Sequence, residues 1–349
     1  MPTRRDNSGA AQLDKTPSLA YPADDDAVLA ARPAKNSVDP WKPYAFLVEP
    51  ECQASGRIEN VATLFLTNRE CPLRCTMCDL WKNTLDEPTP VAAIPTQIEY
   101  ALSRLPAAQH IKLYNSGNFF DPLAVPPADY EAIARQIDGF QTVIVENHPR
   151  MCGRLVGEFK SYLRDTTQLE IALGLETVHP KALPLLNKHM SLDDFVAACS
   201  SLRDQHIALR AFVLLRPPSL TEAEGVEWAL RSIDFAFDLQ VSAVSVIPTR
   251  ASNGLMERWQ QAGLFTPPSL ASLETVLRDG LAMQRGRVFV DLWDIETMAQ
   301  HEPDSRRRIE RLRTANLQQR WPADSETYPT AATHAAERHS PSDLGGNCR

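Results

Sequence analysis

The stretch Val61-Ala62-Thr63-Leu64-Phe65-Leu66-Thr67-Asn68-Arg69-Glu70-Cys71-Pro72-Leu73-Arg74-Cys75-Thr76-Met77-Cys78 decides how the rest of the chain is read. Its first seven residues are apolar and β-branched, the composition of a strand buried on both faces. Three cysteines follow directly, at C-x3-C-x2-C spacing. A loop of that length can turn three thiolates toward one point, and soft thiolates select zinc or iron–sulfur clusters. A structural zinc takes four protein ligands. No fourth Cys or His stands near: Cys52 lies nineteen residues earlier, and the next His downstream is His110. Three ligands on a four-iron cluster leave one iron open to a substrate or cofactor. Zinc completed by a distant ligand, or three incidental buried cysteines, are the alternatives the residues leave open.

Outward from this stretch, short β-rich runs alternate with helical patterns. Runs at 61–67, 111–114, 142–146, 169–175, 209–215 and 241–247 read as buried strands, and 287–293 as a seventh strand or a segment outside the sheet. Residues 96–105, 127–137, 153–163, 192–205, 222–237 and 270–283 carry apolar side chains at helical spacing. Thr221 with Glu224 three residues on forms a capping box at the start of one of them. Such alternation implies an α/β fold with a parallel sheet and right-handed crossovers. About six units suit a partial parallel β/α barrel of TIM type, or an open doubly wound sheet.

The ends read differently. Residues 1–40 are rich in Ala, Pro, Asp and Ser and are expected to form a disordered arm. The triplet Asp24-Asp25-Asp26 reads as a solvated patch. A single domain is expected over 41–300. Over 301–349 we expect a short basic helix, around Arg306-Arg307-Arg308-Ile309-Glu310-Arg311, and then a disordered tail from about Trp321, broken by Pro322, Pro329 and Pro341.

With 349 residues, 43% hydrophobic and 23% charged, the chain has the composition of a globular protein with a sizeable core. A net charge of −8 argues against a protein that coats nucleic acid, without excluding a local basic patch. Apolar runs such as 211–215 fall far short of the ~20 residues of a membrane helix. The first residues carry no apolar stretch of secretory type, so a reducing cytoplasm is expected and the seven cysteines are not read as a disulfide framework. Cys52, Cys152, Cys199 and Cys348 form no second motif, which argues against an auxiliary cluster.

The cysteine motif after the first strand, within β/α alternation, resembles the radical S-adenosylmethionine (SAM) superfamily over about residues 58–250. Asn115-Ser116-Gly117-Asn118-Phe119-Phe120-Asp121-Pro122, Gly174-Leu175-Glu176-Thr177, Leu214-Leu215-Arg216-Pro217-Pro218 and Val246-Ile247-Pro248-Thr249 are similar to the branch with the elongator-catalytic-subunit type of core. Within that branch the pattern is similar to the archaeosine synthase β-subunit group and its uncharacterised bacterial relatives, out to about residue 295. The resemblance implies a partial β/α barrel whose mouth holds a 4Fe-4S cluster on Cys71, Cys75 and Cys78. It implies SAM on the fourth iron, and one-electron cleavage of SAM to methionine and a 5′-deoxyadenosyl radical. A flavodoxin or ferredoxin would supply the electron.

The resemblance also suggests SAM contacts. Met77, between the second and third cysteines, would shield the adenine. Asn115-Ser116-Gly117 stands where the superfamily carries a Gly-Gly-Glu-like segment that binds the SAM amino group. Having no Glu, this chain would use Asn115 or backbone carbonyls. Glu176 would accept hydrogen bonds from the ribose diol, the alternative being a salt-bridged rim residue. Arg216, after the fifth predicted strand, would grip the SAM carboxylate in bidentate geometry. Arg210, early in that strand, fits a structural ion pair equally well. Glu146, His148, Arg150, Thr249 and Arg250 crowd the ends of two other strands, where they could bind substrate or cap solvent-facing loops. The leading expectation is a radical SAM enzyme whose substrate the sequence leaves open, a modified nucleobase being the one the resemblance suggests. The alternatives are radical modification of a small metabolite or peptide, and a non-catalytic iron–sulfur or zinc module of a complex.

Overall fold

The computed structural model describes residues 21, 23–300 and 302–323. Its single sheet has eight strands in spatial order identical to chain order: β1 (Ala45–Cys52), β2 (Ile58–Phe65), β3 (His110–Tyr114), β4 (Thr142–Asn147), β5 (Gln168–Glu176), β6 (Ala208–Leu215), β7 (Ala243–Pro248) and β8 (Arg287–Val290). β1 pairs antiparallel with β2, and every later pair is parallel. The sheet curls into a half-barrel.

The helices are α1 (Asp25–Ala31), α2 (Ala93–Leu102), α3 (Tyr130–Gln136), α4 (Arg154–Tyr162), α5 (Ala182–Leu185) and α6 (Leu192–Asp204). Then come α7 (Glu222–Asp238), α8 (Leu255–Gln261), α9 (Leu270–Ala282), α10 (Ile295–Met298) and α11 (Ser305–Gln318). Helices such as α2, α3, α4, α6, α7 and α9 pack on the sheet, while α1 and α8 pack on each other. Among the described residues no helix is long and apolar enough to cross a membrane. The Thr221–Glu224 capping box is present at the start of α7, so two backbone N–H groups are satisfied locally.

Period-two alternation sorts the strand residues. Ile111, Leu113, Val143, Val145, Ile171, Leu173, Leu209 and Ala211 enter one core with helix residues such as Ile98, Ile133, Phe159, Leu202, Ile233 and Leu277. The intervening positions include a buried ion network: Arg210 donates to Glu170 and to Glu51, each at 2.7 Å. Lys112 pairs with Glu51, and Arg287 with Glu170 at 3.5 Å. Arg210, Lys112, Glu170 and Arg287 stand at or near the amino ends of their strands. Glu51 reaches them because β1 runs the opposite way. The charges therefore fill the floor of the half-barrel and leave the carboxyl ends for chemistry.

Three sequence expectations are corrected. β1 went unread because Pro50 and two glutamates break its apolar pattern; an edge strand tolerates such a proline. Residues 25–31, expected within a disordered arm, form α1. The Asp24 carboxylate caps it by accepting the Ala27 N–H at 2.9 Å, and Asp25 and Asp26 complement the positive end of its dipole. Val28 and Ala31 of α1 pack with Leu255, Met256, Trp259 and Phe265. Trp321, placed at the start of a tail, packs on the core. Residues 287–290 belong to the sheet as β8. The remaining expected tail positions, 1–20 and 324–349, lie outside the described residues, as does Cys348.

Candidate active site

Parallel strands bring the ends of β2 to β8 to one rim. The cysteine loop follows β2, Asn115-Ser116-Gly117 follows β3, Glu146 and His148 stand at the end of β4, and Glu176 ends β5. Arg216, Arg250 and Asp291 follow β6, β7 and β8.

The cysteine loop is held from several sides. The Thr76 N–H donates to the Leu186 carbonyl at 2.9 Å, and Asn187 donates its amide to the Arg74 carbonyl at 2.9 Å. From the other side of the rim, the Asn253 amide donates to the carbonyls of Thr76 and Cys78 at 2.6 and 3.2 Å. The Trp81 indole N–H also donates to the Cys78 carbonyl, at 3.1 Å. Gly117 approaches so closely that a Cβ there would lie 3.3 Å from the Cys71 Cβ. Glu70, next to Cys71, is paired with Arg32, Lys35 and Arg74.

Cys71, Cys75 and Cys78 are free and partly exposed as residues. Burial nonetheless pushes the thiols up: Cys75 to about 12, Cys71 less, and Cys78 well above its ordinary value. Backbone N–H groups of the loop oppose this at the first two sulfurs, as do Asn118 and Lys188. Asn118 donates its amide to Cys71 Sγ at 3.2 Å, and the buried Lys188 ammonium draws both Cys71 and Cys75 toward the thiolate. The chemistry of this set fits an iron–sulfur cluster: three soft donors, a side-chain N–H on Cys71 beside backbone N–H groups of the loop, and a buried cation to offset thiolate charge. Among the described residues no three His, Cys, Asp or Glu side chains close on a single metal ion. A zinc ion needs its sulfurs about 2.3 Å from one point, whereas a four-iron cluster gives each cysteine its own iron.

Glu176 lies beside this set, buried, and paired with Lys188; the side chains are 8% and 9% exposed. Its φ is +64°, and the pairing register with β6 shifts between Gly174 and Glu176. That bulge re-aims the carboxylate. A Cβ on Gly174 would overlap both Lys188 Nζ and the Glu176 carboxylate, so the pair needs glycine there. The salt bridge given above as the alternative to the ribose role is present and buried, and its partner Lys188 was not singled out from sequence. A lysine in the run Leu186-Asn187-Lys188-His189 carries no periodic signal of burial.

Glu146 has a different task. Its carboxylate accepts the backbone N–H groups of Asn115 at 2.7 Å and Gly117 at 3.3 Å. Burial pushes its pKa up to about 7 against the pull of these donors. The segment after β3 is therefore tied down through its N–H groups. Ser116, at φ +54°, shares a 2.8 Å hydrogen bond with the Tyr44 hydroxyl. Both polar atoms of the fully buried Asn115 side chain lack a partner. A buried amide left in that state costs ~1–3 kcal/mol, which a bound polar ligand would remove.

His148 donates from Nε2 to the Lys188 carbonyl at 3.1 Å, while its Nδ1 accepts the Arg150 N–H at 3.2 Å. Burial lowers its pKa to about 4, so the ring is neutral. Its backbone N–H donates to Asn118 Oδ1 at 2.7 Å.

Other sequence candidates are engaged in contacts of their own. Arg216 pairs with Glu222 and donates to the Pro267 carbonyl at 3.0 Å, anchoring the α7 and α9 starts. Arg250 donates to Asp291 at 2.5 Å and to the Trp293 carbonyl at 2.7 Å. Arg210 is a floor residue, as its place early in β6 allowed. Met77 bridges two apolar clusters, one with Met256 and Trp259 and one with Leu183, Leu186 and Leu214. Cys199 is core, and Cys152 accepts a hydrogen bond from the Asn147 amide at 3.4 Å.

No family model matches the chain. Its fold is similar to that of several solved structures, radical SAM enzymes among them. One is coproporphyrinogen III oxidase from Escherichia coli, 13% identical, with a TM-score of 0.46 over 65% of this chain and 53% of that one. In sequence the chain is similar to archaeosine synthase subunit beta of Methanosarcina acetivorans, 26% identical over 215 residues. That match covers 60% of this chain and 62% of the relative's length. It is also similar to an uncharacterised protein of Methanocaldococcus jannaschii, 23% identical over 257 residues, covering 69% of this chain and 70% of that one.

Proposed function

We propose that this chain is a radical SAM enzyme that holds a 4Fe-4S cluster on Cys71, Cys75 and Cys78. The observation that carries the reading is the cysteine loop itself. It sits at the carboxyl end of the first parallel strand, clamped by neighbouring loops, with an N–H donor on one sulfur and a buried lysine behind two. When bound, the cluster and SAM supply one-electron reductive cleavage of SAM.

The residues around them bind and orient. Glu146 takes up N–H groups of the 115–117 segment, which leaves its carbonyls and the unpartnered Asn115 amide for the SAM amino group. Glu176 offers its second carboxylate oxygen to the ribose diol while Lys188 holds the first. Met77 supplies an apolar surface for the adenine. Arg216 serves the SAM carboxylate only by leaving Glu222, so we assign it the weaker claim.

Likeness to archaeosine synthase β subunits supports a modified nucleobase as substrate and a partner subunit in the working assembly. The net charge of −8 favours a small nucleoside-like molecule over RNA. Incubation with SAM, dithionite and either tRNA or small-molecule extract, read by product mass, separates the two.

The class is tested by anaerobic reconstitution. The wild type is expected to bind about four irons and four sulfides and to release 5′-deoxyadenosine from SAM. Ala at Cys71, Cys75 or Cys78 is expected to abolish both, whereas Ala at Cys152 or Cys199 leaves them. Full iron in Cys75→Ala, or stoichiometric zinc in protein purified without air, refutes the proposal.

A further inference from the structure

Asn118 was quoted within a motif but given no role, and the structure gives it a two-ended one. Its side-chain oxygen accepts the His148 N–H at 2.7 Å, and its amide nitrogen donates to Cys71 Sγ at 3.2 Å. The residue is 2% exposed, so neither bond competes with water. The amide orientation follows from the His148 N–H, which requires the oxygen on its side. His148 is itself fixed, by its bonds to the Lys188 carbonyl and the Arg150 N–H. The amide is therefore aimed at sulfur by a rigid chain from the end of β4.

We propose that Asn118 is a positioning residue for the cluster, whose N–H···S bond to Cys71 raises the cluster's reduction potential. This rests on the cluster assignment above. Reduction adds an electron that spreads onto the ligand sulfurs, and a donor pointed at one sulfur stabilises that extra charge. Hydrogen bonds to sulfur and burial are among the levers that set such potentials. The bond is local to Cys71.

The test is a redox titration of the reconstituted cluster followed by electron paramagnetic resonance, without substrate. Asn118→Ala removes the donor without adding charge. It is expected to keep the iron and to be about tenfold less reduced at a fixed potential, a fall of ~59 mV for one electron. Asn118→Asp, which keeps the acceptor for the His148 N–H, is expected to fall at least as far. Cys152→Ala removes the sulfur that takes an amide of the same kind from Asn147, and is expected to leave the potential where it was. A wild type that assembles no cluster defeats the function proposed above. A wild-type cluster with an unmoved potential in Asn118→Ala overturns this inference alone. Folded Asn118 variants that hold no iron also overturn it, because Asn118 would then serve cluster retention rather than potential.

Discussion

Replacing Glu176 by alanine strands Lys188. Both side chains are under a tenth exposed, and Lys188 Nζ has the Glu176 carboxylate as its hydrogen-bond partner. A surface pair would be worth ~0–1 kcal/mol. Breaking a buried pair by deleting one partner costs ~3–5 kcal/mol, because the survivor keeps its desolvation penalty without its counter-charge. Glu176→Ala is therefore expected to lose ~3–5 kcal/mol of folding stability. The double variant Glu176→Leu/Lys188→Met is expected to lose much less than the sum of its singles, since two apolar groups leave no charge unpaired. Urea unfolding of the apo-protein under anaerobic conditions, read by linear extrapolation, gives these values. In cluster-loaded protein, Glu176→Ala is expected to weaken SAM binding tenfold or more, or ~1.4 kcal/mol. Glu176→Gln is expected to lose less, because its amide oxygen still accepts one bond. A cost below ~1 kcal/mol for Glu176→Ala would refute the buried-pair reasoning. Unchanged SAM affinity in a folded variant would refute the ribose role independently.

Glu146 makes stability depend on pH. Its folded pKa of about 7 lies above the ordinary 4.5. The protonated carboxyl is the form the fold prefers, so its contribution is fully present below pH 4.5 and is lost as pH rises through 7. At ~1.36 kcal/mol per unit that amounts to ~3 kcal/mol. Glu146→Gln should show a flat profile over this window, and superimposable unfolding profiles for wild type and variant would refute the assignment. Truncation tests α1. Relative to a chain starting at residue 21, one starting at 41 uncovers Met256 and Trp259 and removes Arg32 and Lys35 from Glu70. At ~1.5–3 kcal/mol per large apolar side chain, a lower melting temperature and poorer iron retention are expected; equal melting temperatures would show that α1 contributes nothing.

Most of the architecture was legible in the sequence because it is written locally. A run such as Val143-Ile144-Val145 announces a buried strand, and six helices were readable from apolar spacing. The parallel order follows from strand–helix alternation. The cysteine spacing needs no tertiary information either, since eight residues of loop hold all three thiols. β1 was missed because an edge strand need not be apolar, and α1 because seven residues with one acidic cap look like tail.

What the sequence could not disclose is which side chains meet. Arg210 and Glu51 are 159 residues apart, Asn118 and Cys71 47, and Asn115 and Glu146 31. Local chemistry left Glu176 free to be a ribose ligand or a rim salt bridge, and only the bulge after Gly174 and the burial of Lys188 made it half of a buried pair. The same holds for Arg216, which its position alone would send to the site and which Glu222 draws to the helix starts. Strand and helix follow from backbone and period, which act over a few residues. Charge partners follow from the closing of the half-barrel, which brings distant residues together, and burial then makes their pairing obligatory.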